Sequence, residues 1–264
     1  MVRRAADPSP LLRRRSLSTR TEAIEMKLGD LHRAAHAAEG SINDAYLAGL
    51  CGAFRLYHEA LGVPVNSLPM AVPVNLRAEA DPAGGNRFAG VNLGAPVGAA
   101  DPVVRIQKIR KQMISRREEA AIDLIGAVAP VLTLLPDSVL QAMSGSVIAS
   151  DVQASNVPIY PGETFIAGAK VLRQFGLGPL PGVAMMVVLI SRGGFATVTT
   201  RYDRAAIADQ DLWARCLRGG FDEVLALAGD PHPRVVPASF PDQPDQSKAS
   251  PASGTSTKRS VAYS

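Results

Sequence analysis

Val183-Ala184-Met185-Met186-Val187-Val188-Leu189-Ile190 is apolar throughout. A strand with one face in water alternates apolar and polar residues, so an unbroken apolar run between turn signals reads as a strand covered on both faces. Outward from it, Val152–Val157, Thr164–Phe175 and Thr197–Tyr202 carry the same extended signature, separated by glycine and proline turns. This half of the chain is therefore a sheet. A final helix, Asp209–Ala228, follows it and buries Leu212, Cys216, Phe221, Val224 and Leu225.

Before the sheet the period is helical. Leu28–Glu39 predicts a short helix ended by Gly40, and Ser41-Ile42-Asn43-Asp44 opens a stronger one. Leu47, Leu50, Cys51, Phe54, Tyr57 and Leu61 recur at helical spacing and share one buried face, with Gly62 and Pro64 at the stop. Leu68–Asn75 is a short apolar run whose Pro69 and Pro73 mark an edge or irregular strand, and Val91–Val97 is a strand leaving a glycine-rich loop. Asp101-Pro102 is a helix start, with Val103, Ile106, Ile109 and Met113 as its buried stripe and Arg105, Lys108, Lys111, Arg116 and Arg117 outside it. Two further apolar helices are expected around Asp123–Leu135 and Asp137–Ser150. Helices first, then a mainly antiparallel sheet closed by a helix, make the class α+β or mixed α/β. One domain over residues 28–229 is expected, between a basic arm or linker stub (1–27) and a disordered tail rich in Pro, Ser, Asp and Lys (230–264).

Composition narrows the function. Residues 1–20 hold six arginines against Asp7, a net +5, while the whole chain is +4, so the folded part is close to neutral. With aromatics at 5%, that argues against a nucleic-acid platform. Cys51 and Cys216 lie far apart without metal-ligand spacing and read as buried free thiols of a reducing compartment. No apolar signal region follows the arginines, and the most apolar stretch, Leu124–Leu135, is short of a membrane span and interrupted by Pro130. A cytoplasmic protein follows, with contact to a membrane or lipid-body surface left open.

The common catalytic signatures are missing: no G-x-S-x-G elbow, no phosphate-binding P-loop, no H-E-x-x-H and no cysteine cluster. Gly176, Gly178 and Gly182, with Pro179 and Pro181 between them, read as a turn and not as a dinucleotide fingerprint. His32 and His36 share a helix face without a third ligand, His58 lies beside a buried stripe, and His232 is in the tail. No metal and no bound cofactor are expected.

Several short strings are informative as a set. They are Ser41-Ile42-Asn43-Asp44-Ala45-Tyr46-Leu47-Ala48; Val72-Pro73-Val74-Asn75-Leu76-Arg77 with Gly85-Asn86-Arg87; Ala154-Ser155-Asn156-Val157-Pro158; Phe165-Ile166-Ala167-Gly168-Ala169; and Gly178-Pro179-Leu180-Pro181-Gly182-Val183-Ala184. In this order and spacing the chain resembles, from about Arg13 to Gly229, the bacterial wax ester synthase/acyl-CoA:diacylglycerol acyltransferase family. The resemblance implies a chloramphenicol acetyltransferase-like fold of two similar halves, with acyl-CoA as co-substrate and a fatty alcohol or diacylglycerol as acceptor. It implies a base in an H-H-x-x-x-D-G motif of the amino-terminal half, a string that does not occur in this sequence. The match is to the carboxyl-terminal half, and the start of the chain looks like the linker between halves.

The resemblance also suggests roles for particular residues. Asn43 and Asp44 belong to a family motif and are candidates for the substrate tunnel, although Ser41 and Asp44 also read as a helix cap. Ser155 and Asn156, at a strand end, are candidates for lining the tunnel or bonding an oxyanion. Arg77 and Arg87 flank a glycine loop and are candidates for the CoA phosphates. No catalytic residue is assigned in this chain. The partner expected is a histidine-bearing amino-terminal half or an intact homologue. The contrasting reading is a non-catalytic acyl-chain-binding or regulatory protein, and the third is a degenerate fragment.

Overall fold

The apolar run becomes the middle of a seven-stranded mixed sheet, flanked on both sides by partner strands. A computed structural model describes residues 5–75, 88–122, 150–157, 159, 162–180, 182–229 and 236–237. In chain order the elements are β1 (Thr19–Lys27), α1 (Leu28–Ala37), α2 (Ile42–Ala60), β2 (Leu68–Asn75), β3 (Phe88–Ala95), α3 (Pro102–Ile122), β4 (Val152–Val157), the short β5 (Phe165–Ile166) and β6 (Ala169–Lys170), β7 (Met185–Arg192), β8 (Phe195–Asp203), α4 (Gln210–Leu225) and β9 (Val236–Pro237). The strand order is β3-β2-β4-β7-β8-β1-β9, while β5 and β6 form a separate hairpin. β4 runs parallel to both β2 and β7, and the remaining neighbours are antiparallel.

Residues 19–27, placed in the basic arm by the sequence reading, form β1 and pair with β8 along its whole length. Val236–Pro237, within the stretch read as a tail, adds β9 beside β1. Of the two alternatives for Leu68–Asn75, an edge or an irregular strand, β2 is not at an edge. It lies between β3 and β4, and its prolines are tolerated because the β4 pairing touches only Met70 and Ala71. Thr164–Phe175 is not a continuous strand either: after the two-residue β5 and β6, the chain runs as irregular backbone from Val171 to Leu180. The two helices expected between Asp123 and Ser150 lie outside the described residues, apart from the non-helical Ser150.

One sheet face carries the helices. Met185, Val187 and Leu189 of β7, Val198 and Tyr202 of β8, Ile24 and Met26 of β1 and Val152 and Ala154 of β4 join the residues of α2 and α4 in a single core. α2 and α4 approach each other at glycines. A Cβ on Gly220 would stand 2.2 Å from the Ala53 nitrogen, and one on Gly49 would meet the Phe221 ring at 2.8 Å. Over this seam Trp213 packs 4.9 Å from Phe54 and 5.7 Å from Tyr57, ring centroid to centroid. Arg105, expected outside the stripe of α3, is instead fully buried. Its guanidinium donates to the Ala99 and Ala100 carbonyls at 3.0 Å and pairs with Glu223 of α4 at 2.6 Å. Glu223 also pairs with Arg55 of α2, so one carboxylate ties three helices together.

Candidate functional site

The second face of the sheet carries none of the described helices. Side chains alternate along a strand, and the register places Ser155, Val188 and Thr199 in one row and Val157, Ile190, Thr197 and Glu25 in the next. This face is more polar than the first. Thr199, Thr197 and Glu25 are all buried on it, and the Thr199 Oγ1 has no hydrogen-bond partner among the described residues.

Among the described residues, the irregular segment between β6 and β7 lies over this face. Gly176 lies so close to the sheet that a Cβ would stand 2.3 Å from Val188 Cγ1, and one on Gly178 would stand 2.9 Å from Met186 Cγ. Glycine is the only residue that allows so close an approach without displacing its neighbours. The segment is pinned by Arg173, whose Nε pairs with Glu25 Oε2 at 2.6 Å while the guanidinium sits 4.7 Å from the Phe195 ring centroid. Arg192 adds bonds to Gln174 and to the Gly162 carbonyl, both at 3.3 Å. Outward, the strap presents apolar side chains beside Arg173. Leu172 and Leu177 of the strap are 70% and 64% exposed, and Phe165 and Ile166 of the neighbouring β5 are 56% and 69% exposed.

Ser155 and Asn156 are adjacent in β4 and therefore face opposite ways. Ser155 is half-buried on the strap face, next to Val188, whereas Asn156 is exposed at the strand's carboxyl end on the helix side. Asn43 and Asp44 belong to another layer, at the first turn of α2. There Ser41 and Asp44 form a capping box: the Ser41 N–H donates to Asp44 Oδ2 at 2.8 Å and the Asp44 N–H donates to Ser41 Oγ at 3.2 Å. Asp44 is buried with Arg110 Nη1 at 3.8 Å, and Asn43 beside it is half-buried. Arg110 also lines an open depression with Glu39, Lys111 and Ile114. No hydrogen bond or ion pair joins the Asn43–Asp44 pair to Ser155 or Asn156 among the described residues. Arg77 and Arg87 lie outside the described residues.

Among the histidines, His32 and His36 are exposed on α1, and His232 is outside the described residues. His58 is fully buried, with its ring nitrogens engaged by Ser9 Oγ and the Phe54 carbonyl, both at 2.7 Å. Burial lowers its pKa below the ordinary histidine value, with the bond to Phe54 acting in the opposite direction. Burial also pushes the Cys51 thiol up to about 12 and the Cys216 thiol upward, so both are inert thiols and neither is a nucleophile. Sequence reasoning missed Thr199, Glu25 and Arg173. The signal was present in Phe195-Ala196-Thr197-Val198-Thr199, where threonines and small apolar residues alternate and so divide between two faces.

Comparison with known proteins bears on the same elements. Residues 84–224 match the family described as the WS/DGAT C-terminal domain. Rv2484c of Mycobacterium tuberculosis, provisionally named a diacylglycerol O-acyltransferase, is 70% identical over 243 residues, covering 92% of this chain and 50% of its own length. The chain thus spans about half the length of that relative. Among solved structures, the wax ester synthase/diacylglycerol acyltransferase of Marinobacter aquaeolei VT8 superposes with a TM-score of 0.61 at 19% identity, over 84% of this chain and 53% of the other. The nonribosomal peptide synthetase FmoA3 superposes with a TM-score of 0.58 at 13% identity, over 86% of this chain and 23% of the other. At such identities these two likenesses speak for the fold.

Proposed function

The chain belongs to the wax ester synthase/diacylglycerol acyltransferase family through its carboxyl-terminal domain, and from that premise we propose that it serves as one half of a long-chain acyl-CoA:alcohol or diacylglycerol O-acyltransferase. In the reaction an acceptor hydroxyl loses its proton to a base and attacks the thioester carbonyl, and CoA leaves as the thiol once protonated. The base belongs to a histidine-bearing amino-terminal half, and this chain alone does not turn over.

The observation that carries this reading is the strap. It lies on the sheet face that the described helices leave free and turns Leu172 and Leu177 outward, next to a hairpin exposing Phe165 and Ile166. Four large apolar side chains on one short segment are more than scattered surface residues, and clusters of this kind mark interaction surfaces. A second half laid over the strap would bury them and form a tunnel between the two halves. Ser155 would meet that tunnel from the strap face, with Asn43, Asp44 and Asn156 at its margins and Arg77 and Arg87 toward the CoA phosphates. Acyl-CoA is the co-substrate, no bound cofactor is required, and association with a membrane or lipid-body surface would bring the acceptor within reach. Among the described residues, no helix is long and apolar enough to cross a membrane.

The test is reconstitution. The chain is combined with a half carrying H-H-x-x-x-D-G, and transfer from labelled palmitoyl-CoA is compared for the natural sequence and for Leu172→Asp with Leu177→Asp. Loss of transfer in the double variant, with its circular dichroism unchanged, supports docking through the strap. Undiminished transfer rejects it. Binding of palmitoyl-CoA without transfer by either mixture would instead favour a non-catalytic acyl-chain-binding protein.

A further inference from the structure

The residues before β1 cross one end of the sheet from edge to interior. A Cβ on Gly94 of β3 would stand 2.8 Å from the Ala5 carbonyl oxygen, so the segment begins against that edge strand. The Ser9 N–H donates to Asp151 Oδ2 at 2.6 Å, just ahead of β4, and Leu12 is fully buried in the main core. Further on, Ser16 gives Asp203, at the end of β8, both its N–H at 2.6 Å and its hydroxyl at 2.9 Å, and the Arg204 N–H returns to the Ser18 carbonyl at 3.0 Å. Between these anchors Arg13, Arg14, Arg15 and Leu17 are exposed. The segment is a clasp with discrete fastenings.

One fastening has a fixed proton arrangement. A carbonyl only accepts, so His58 Nδ1 must carry the hydrogen that reaches the Phe54 oxygen. Nε2 is then a bare acceptor and takes the Ser9 O–H at 2.7 Å, while the Ser9 Oγ itself accepts from the Leu11 N–H at 3.2 Å. A proton added at Nε2 turns that nitrogen from acceptor to donor, so the bond as built cannot persist. Two hydrogens would point at each other unless the serine hydroxyl turned away, and the imidazolium charge would be held where both Ser9 and His58 are buried.

We propose that residues 5–18 form an acid-released clasp whose latch is the Ser9–His58 hydrogen bond, closed while His58 is neutral and opened by its protonation.

The acids around the latch engage groups other than the imidazole, and the His58→Gln variant separates their protonation from that of His58. Asp151 engages the Ser9 backbone, and both ring nitrogens of His58 are taken by Ser9 and Phe54. Among the described residues, Asp209 is linked to the latch through Tyr57, whose hydroxyl accepts the Asp209 N–H at 3.4 Å and whose ring lies 6.2 Å from that of His58. At the far fastening, burial raises the Asp203 pKa, but the N–H groups of Ser16 and Ala205, the Ser16 hydroxyl and the charge of Arg15 together hold it below the ordinary value. Asp203 is therefore harder to protonate than an ordinary carboxylate. The sign follows from the lowered histidine: the latch contributes fully above the ordinary histidine pKa of about 6.5 and is lost as pH falls below it.

Hydrogen exchange of the full chain, read by mass spectrometry at about pH 7.5 and about pH 5 and corrected for intrinsic rates, tests this. The Ser9 and Leu11 amides are expected to exchange faster on acidification, by about ten-fold per pH unit of His58 shift, while the α2 and β7 amides hold. In Ser9→Ala the two amides should be fast at both values. In His58→Gln, which keeps a neutral polar side chain without the titration, the step should vanish. A step of the same size in His58→Gln would overturn the proposal. So would imidazole nitrogen shifts in the unaltered chain that put the hydrogen of neutral His58 on Nε2, a readout independent of how the variants fold.

Discussion

Asn43 and Asp44 are chain neighbours at one helix end, yet the structure separates their parts. Asp44 closes the capping box with Ser41, so Asp44→Ala should cost about 1 kcal/mol of stability, read as a lower urea midpoint at unchanged slope. Asn43 takes no part in the box. Asn43→Ala should leave stability within about 0.5 kcal/mol and instead slow acyl transfer in the reconstituted enzyme. Equal transfer by natural and Asn43→Ala chains would remove Asn43 from the tunnel. At the strap, Arg173→Ala leaves buried Glu25 without its ion-pair partner and should destabilise by roughly 1–3 kcal/mol, measurable by chemical denaturation. The cap was legible in the sequence because Ser and Asp at that spacing have a local meaning. Glu25 was not, because its meaning comes from Arg173, far away in the chain and brought near only by the sheet.

Among elements, the tightest joint is that of α2 and α4. Gly220→Ala drives a Cβ into the backbone of Ala53, a contact no rotamer relieves, and overpacking of this sort costs about 1–3 kcal/mol. Glu223→Ala should cost more, about 3–5 kcal/mol, because it strands the buried Arg105 guanidinium. Thermal melts of both variants against the natural chain give the order directly. The sequence showed α2, α4, β4, β7 and β8 to within a few residues, since each has a strong local period. It hid β1, whose arginine and glutamates disguise the buried Ile24 and Met26, and it over-extended the strand at Thr164–Phe175. That segment has strand composition, but Gly176 and Gly178 draw it flat onto the sheet instead of into it. Arg105 was misplaced for a related reason, since only the carboxylate on α4 makes burying it tolerable.

At the scale of the molecule, the chain has the architecture of one half of a chloramphenicol acetyltransferase-like fold, with helices on one sheet face and an apolar strap on the other. On the proposed division of labour a second half would lie over the strap face, and the chain spans about half its relative's length. Acyl transfer from labelled palmitoyl-CoA to diacylglycerol by the purified 264-residue chain, first alone and then with a histidine-bearing half, tests this most directly. The expected result is no turnover above a protein-free control for the chain alone and clear turnover for the mixture, beyond what the added half achieves by itself. Turnover by the chain alone would place a competent base within it and contradict the division of labour, and a mixture no faster than the added half would contradict the chain's part in catalysis.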